Sequence, residues 1–368
     1  MRLFGGAQRR ASRGRDAGAA TTAAFQPPAD AAAQLSRVES RLRAVAAEPG
    51  ERLAELALHG IEAGGKRLRP ALAVCSAIAV GGPEAVDERV VDAATAVELL
   101  HLASLYHDDV LDSAPLRRDR PSANALWGNH AAVLGGDVLL SHAYRVAAGL
   151  GTAELRRLAH TLTALCSGQI AETATQFDHH RALADYDASI RGKTATLLST
   201  SCWLGAAAAG AAPHVAESLA CFGMELGVAF QIVDDVLDLY GHAIGKPTGS
   251  DLRAGVFTLP VLMALQHDPA LVDLLIEGID QAGIEEVARR VRTARADRRA
   301  VGIALDRVQA AFAYLAEPSL RPHGKRLLTS IGELALAPLE RLGLGARIRR
   351  WRSAVPPDLG HHTAAQVA

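Results

Sequence analysis

The pentapeptide Asp-Asp-Val-Leu-Asp occurs twice, at residues 108–112 and 234–238. On an α-helix the first and fifth positions lie one turn apart on the same face. Each copy therefore projects two carboxylates together, with the second Asp about a third of a turn away. Acidic faces of this kind are ordinarily solvated surface. Here each copy instead closes a long apolar stretch, ELLHLASLY before the first and MELGVAFQIV before the second. Carboxylates at the rim of a buried face need a cation. Hard oxygen ligands select Mg²⁺, which keeps several waters and shares its shell with phosphate oxygens. A calcium EF-hand loop does not fit, because neither copy is followed by Gly at the sixth position and Glu at the twelfth.

Phosphate needs further cations, and the sequence offers them in short motifs. GGKRLRP places Lys66, Arg67 and Arg69 after two glycines, where backbone can approach an anion. Arg117 and Arg118 follow the first Asp cluster, and adjacent guanidiniums can each fork onto phosphate oxygens. RGKTATLL supplies Lys193 and Thr194, and GKPTGSD supplies Lys246 and Asp251. Only four of the 39 basic residues are Lys, and three of these four fall in such motifs. In a chain so biased toward Arg, a retained Lys points to a use for its compact charge. Each motif alone reads as an exposed basic turn. Together, beside two Asp clusters, they read as a site for diphosphate. His101 lies two helical turns before Asp108 on the same face and can point toward that site.

The elements that must position these residues are helices. From about residue 29 onward, apolar residues recur at three- and four-residue spacing, and strand-like alternation is nearly absent. Breakers such as VGGPEAV, SAPLRRDRPSAN and GAAPH punctuate the pattern. The expectation is an all-α, single-domain bundle of about ten or more helices over residues 29–350. A disordered N-terminal arm at 1–28 precedes it, and a flexible tail at 351–368 follows. Aromatics are 4% of the chain, so the core should be built from Ala, Leu and Val. The net charge of −1 gives no basic field for nucleic acid. The four Cys show no metal-ligand spacing and read as buried free thiols in a cytoplasmic protein. No uninterrupted apolar run reaches the roughly 18 residues of a membrane span.

The set GGKRLRP, HDDVLD with its following Arg pair, Gly168–Gln169, Gly192–Thr194, FQIVDDVLD and GKPTGSD resembles the trans-isoprenyl diphosphate synthases over about residues 35–345. The resemblance implies an isoprenoid-synthase bundle around a central cavity, usually a homodimer. It implies head-to-tail condensation of isopentenyl diphosphate onto an allylic diphosphate (dimethylallyl, geranyl, farnesyl or geranylgeranyl). By the same resemblance, Asp108, Asp112, Asp234 and Asp238 would hold three Mg²⁺. Asp109, Asp235 and Lys193 would complete the catalytic set. Arg117, Lys193, Thr194, Gln231 and Lys246 would bind the allylic diphosphate. Gly65, Lys66, Arg69, His101 and Arg118 would bind isopentenyl diphosphate.

Two positions depart from the family pattern. Asp119 stands where Gly is common, and Val256 where a Lys often follows Gly255. The second change removes a cation near the departing diphosphate. Ala103 and Ser104, about one turn before Asp108, are small. Bulky aromatics at these positions close the chamber in short-chain members of the family. The local string thus points to a long-chain product for quinone side chains, with transient membrane contact for its release. Geranylgeranyl diphosphate is the alternative product. A terpene cyclase and a silent partner subunit fit less well, because both Asp motifs are complete.

Overall fold

The structure, a computed structural model, describes residues 29–48, 50–118, 120–241 and 248–340, together with 342, 348 and 351. The expected N-terminal arm, nearly all of the expected tail, Asp119 and Lys246 lie outside the described residues. The helical periodicity is realised as fourteen α-helices among the described residues. They are α1 Ala29–Ala47, α2 Glu51–Glu62, α3 Leu68–Gly81, α4 Glu88–Leu111, α5 Ala123–Leu150, α6 Thr152–Ala174 and α7 Leu183–Ile190. After them come α8 Thr196–Ala208, α9 Pro213–Asp238, α10 Ser250–Arg253, α11 Leu259–Leu265, α12 Gln281–Thr293, α13 Ala296–Tyr314 and α14 Pro322–Leu339. The one strand pairing among the described residues, β1 Leu116–Arg117 against antiparallel β2 Arg120–Pro121, is a short hairpin that carries the Arg pair.

The helix starts follow local chemistry. The Asp87 carboxylate accepts hydrogen bonds from the backbone N–H of Arg89 at 2.9 Å and Val90 at 3.1 Å, which satisfies two orphan donors of α4. Pro213 opens α9, where its missing N–H costs nothing. Both Asp-bearing helices run through the core. α4 packs against α3, α5 and α8, and α9 packs against α8 and α13. α3 is buried on every side from Pro70 to Ala79, as a helix without a polar face must be. The core is rich in Ala, Leu and Val, and Phe222, Phe257 and Phe312 are its fully buried aromatics.

One expectation, on the cysteines, is corrected, and one helix bears on membrane crossing. α9 is long and apolar enough, by length and composition, to cross a membrane. However, 61% of its most apolar window is buried inside the protein, which marks it as a core helix. All four Cys are free, but only Cys75 and Cys202 are buried; Cys166 is exposed and Cys221 half-buried. The buried stripe of α6 runs through Leu158, Thr161, Leu165 and Gly168, and Cys166 falls off it.

Candidate active site

α4 and α9 end at the two Asp clusters, as the apolar runs before them predict. Asp112 is the C-cap of α4 and keeps helical dihedrals, so the first cluster retains its one-turn geometry. Asp109 is buried and receives Nε of Arg117 at 2.7 Å, with a second bond from Nη2 of the same guanidinium. Arg117 therefore stands beside the first cluster, anchored by its middle carboxylate. Burial pushes the Asp108 carboxyl up, and Asp112 and Asp109 add to the shift against the pull of Lys193 and Arg117.

Lys193 acts on Asp108 and Asp112 of the first cluster and lines a pocket with Asp235 of the second. The motif RGKTA forms a single π turn over Arg191–Ala195, a geometry common at functional sites. Its backbone lies directly on α6. A Cβ at Gly168 would come within 2.4 Å of the Lys193 backbone N, and one at Gly192 within 2.8 Å of the Ala164 carbonyl oxygen. The two glycines thus let the π turn settle on α6, and Lys193 Nζ reaches Glu172 Oε1 at 2.5 Å. Burial opposes the Lys193 charge, but Glu172, Asp108 and Asp112 outweigh it and raise the pKa.

The second cluster is organised by a hydrogen-bond chain. Thr194 Oγ1 donates to Gln231 Oε1 at 2.7 Å, and Gln231 Nε2 donates to Asp235 Oδ1 at 2.9 Å. Tyr186 OH donates to Asp235 Oδ2 at 2.5 Å. Burial nevertheless pushes Asp235 up to about 7, with Asp234 and Glu172 adding to it against those two hydrogen bonds. Asp238 accepts the backbone N–H of Ser250 at 3.0 Å and of Asp251 at 3.3 Å, so it also fastens the start of α10. Asp251 is held well above the usual carboxylate range by burial and by Asp238, Asp235, Asp234 and Glu172. A pocket opens here, lined among others by Glu172, Lys193, Thr194, Gln231, Asp235 and Val256.

Among the described residues, no three carboxylate, imidazole or thiol side chains converge to hold a metal unaided. That suits Mg²⁺, which takes one or two carboxylates and completes its shell with water and phosphate. The donor set fits such an ion: hard oxygen ligands, crowded, and carrying more negative charge than Lys193 and Arg117 balance.

A second basic site lies beside α4. Gly65 has φ 137°, and a Cβ there would meet the Arg118 guanidinium at 2.5 Å, so glycine lets Arg118 lie on the loop. Arg69 is pushed down to about 10 by burial and by Arg118, against the pull of Glu98. Its Nε has no partner among the described residues. Burial, then Arg69, Arg118, Arg67 and Arg117, hold His101 well below 6.5. Gly65, Arg69, His101 and Arg118 are thus brought together, while Lys66 is exposed at the rim. Arg67 departs from the reading of GGKRLRP as three phosphate ligands. It turns inward to Glu39 and to Glu98 at 2.8 Å, and locks the loop.

The neutral His101 has a consequence for pH dependence. The unfolded chain accepts a proton on it near pH 6.5, whereas the folded chain refuses it. Stability from this source is present above that pH and is lost as pH falls through and below it. His101→Gln should flatten the fall of thermal midpoint on acidification. Parallel curves for variant and parent between about pH 7.5 and 5.5 would dismiss the assignment.

Sequence reading missed Glu172, Tyr186 and Glu98. Glu172 was findable, since it stands four residues after Gly168 on the same face of α6. Glu98 likewise stands one turn before His101.

Long helices around an aliphatic core, with two Asp-bearing helix ends beside basic pockets, define an isoprenoid-synthase type of all-α enzyme. The polyprenyl synthetase family model matches residues 50–293. The chain is 44% identical over 238 residues to heptaprenyl diphosphate synthase component 2 of Geobacillus stearothermophilus, covering 64% of this chain and 73% of that one. It is 38% identical over 267 residues to nonaprenyl diphosphate synthase of Mycobacterium tuberculosis, covering 71% and 79%. A solved polyprenyl synthase from Caulobacter crescentus, complexed with calcium and isoprenyl diphosphate, superposes with TM-score 0.77 at 30% identity, over 83% of this chain and 95% of that one. The chain belongs to the polyprenyl synthetase family and is a prenyltransferase.

Proposed function

We propose that this chain is an all-trans long-chain polyprenyl diphosphate synthase that condenses isopentenyl diphosphate head-to-tail onto an allylic diphosphate. The observation that carries it is the Lys193–Glu172 pair set between two Asp-bearing helix ends, with a separate basic site at Gly65, Arg69, His101 and Arg118. Two anion sites side by side suit two diphosphate substrates.

In this reading Lys193, Thr194, Gln231, Arg117 and Lys246 hold the allylic diphosphate. Asp108, Asp112, Asp234 and Asp238 would hold three Mg²⁺, which would supply positive charge against the diphosphate. The allylic C–O bond breaks and its electron pair leaves on the diphosphate oxygen, where Lys193 and Arg117 meet the growing charge. The alkene of isopentenyl diphosphate, placed by Arg69, His101 and Arg118, attacks the allylic cation, and loss of a proton gives the extended allylic diphosphate. The aliphatic interior excludes water from the cation.

The working protein is proposed to be a cytoplasmic homodimer with its synthase unit over residues 29–350, touching membrane only to release product. Incubation of the purified chain with labelled isopentenyl diphosphate, each allylic primer and Mg²⁺ tests the reading. Polyprenyl products are expected. Cyclised hydrocarbon would indicate a cyclase, and inactivity alone with activity on adding a partner would indicate a dependent subunit.

Product length is proposed to exceed geranylgeranyl, in keeping with the hepta- and nonaprenyl names of its relatives. Ala103 is 2% exposed and Ser104 half-buried, its hydroxyl turned back to the His101 carbonyl at 2.8 Å. Ala103→Phe, or Ser104→Phe at the roomier position, should shorten the product by several isoprene units on thin-layer or mass analysis. Unchanged product from both variants would remove the small-residue floor as an explanation.

A further inference from the structure

Among the described residues, Lys193, Arg117 and Arg181 bear on the pocket and the first Asp cluster, and their partners differ. Lys193 is paired with Glu172, and Arg117 with Asp109. The third, Arg181, lines the same pocket and is 5% exposed. Its Nη1 donates to the Phe257 carbonyl at 3.2 Å and its Nη2 to Ser189 Oγ at 2.6 Å. Among the described residues its Nε has no partner, and its guanidinium lies 5.6 Å from the centre of the Tyr186 ring. Glu172, Asp235 and Asp251 share the pocket, yet none is within ion-pair distance of Arg181 among the described residues. Neutral acceptors fix where this guanidinium sits without cancelling its charge.

A desolvated cation held this way is costly unless an anion completes it. The bonds that Arg181 donates to Phe257 and Ser189 leave Nε without a partner among the described residues, so the charge can serve a ligand in the pocket. Val256, beside Phe257, lines the same pocket and offers no charge. We propose that Arg181 is a further contact for the allylic diphosphate, meeting the oxygens that gain charge as the allylic C–O bond breaks. This rests on the placement of the allylic diphosphate in the pocket given above. In sequence, Arg181 follows His179 and His180 and lies outside the motifs that suggested a diphosphate site.

The test compares Arg181→Gln, Arg181→Lys and the double variant Arg181→Gln/Val256→Lys with the parent chain. The readouts are kcat at saturating primer, inhibition by inorganic pyrophosphate with Mg²⁺, and thermal midpoint. Arg181→Gln should lower kcat by about 100-fold, the low end of what loss of one donor to a developing anion costs. It should also weaken pyrophosphate inhibition. Arg181→Lys should lie between. Adding Val256→Lys should restore part of both kcat and pyrophosphate inhibition. A lysine at 256 cannot rebuild the bonds to Phe257 and Ser189, so rescue separates a charge role from a structural one. Arg181→Gln within twofold of the parent on both activity readouts, or a loss that Val256→Lys leaves unrecovered, overturns the proposal. A parent chain that does not consume isopentenyl diphosphate would instead overturn the underlying reading.

Discussion

Asp108→Asn is expected to lower kcat by on the order of 10²–10³-fold while leaving the metal-free protein at least as stable as the parent. The two halves have different causes. The catalytic loss follows from removing one of the hard oxygen ligands that bring positive charge to the departing diphosphate. The stability half follows from the direction of the Asp108 shift. Burial and the neighbouring Asp112 raise its pKa against the pull of Lys193, so folding disfavours its charged form. An uncharged amide of the same shape escapes that penalty. Thermal scans separate the effects. Mg²⁺ with pyrophosphate should raise the parent's midpoint by mass action, and should raise the variant's less. A variant that keeps kcat within tenfold, or melts well below the parent in metal-free buffer, would count against this assignment.

How far that site was legible depends on the sequence distance of each contact. The Asp clusters, GGKRLRP and GKT could be read because their chemistry is local. Spacing of four residues on a helix places carboxylates together, and paired glycines announce close backbone approach. The partners that tune them come from elsewhere. Tyr186 reaches Asp235 across 49 residues, and Arg67 reaches Glu98 across 31. No periodicity within either segment signals such a pairing. The π turn at Arg191–Ala195 was likewise invisible, because it arises where Gly168 and Gly192 let two backbones meet. The fold was the easier part. Apolar spacing and breakers such as VGGPEAV and GAAPH marked out the Asp-bearing helices, and the Asp87 cap of α4 and the Pro213 start of α9 stand at those boundaries. What spacing could not say was which cations stay available to substrate. Arg67 reads as a phosphate ligand by position and is spent on two carboxylates instead.

Glu98→Gln should expose that division of labour. Glu98 is 2% exposed, pairs with Arg67 at 2.8 Å, and also acts on Arg69 and Arg118. It is the common counter-charge of three guanidiniums. Neutralising it should destabilise the free protein by roughly 3 kcal/mol, the low end of the range for breaking a buried pair. The amide can still accept one hydrogen bond, and Arg67 keeps Glu39. The same change raises the positive potential around Arg69, His101 and Arg118. A diphosphate bound there should therefore return more stability to the variant than to the parent. Thermal scans with and without isopentenyl diphosphate measure both effects. The variant should melt lower alone, and its midpoint should rise further on adding ligand. Equal ligand-induced shifts in the two proteins would mean that Glu98 supports the loop through Arg67 alone and does not set the field at the isopentenyl diphosphate site.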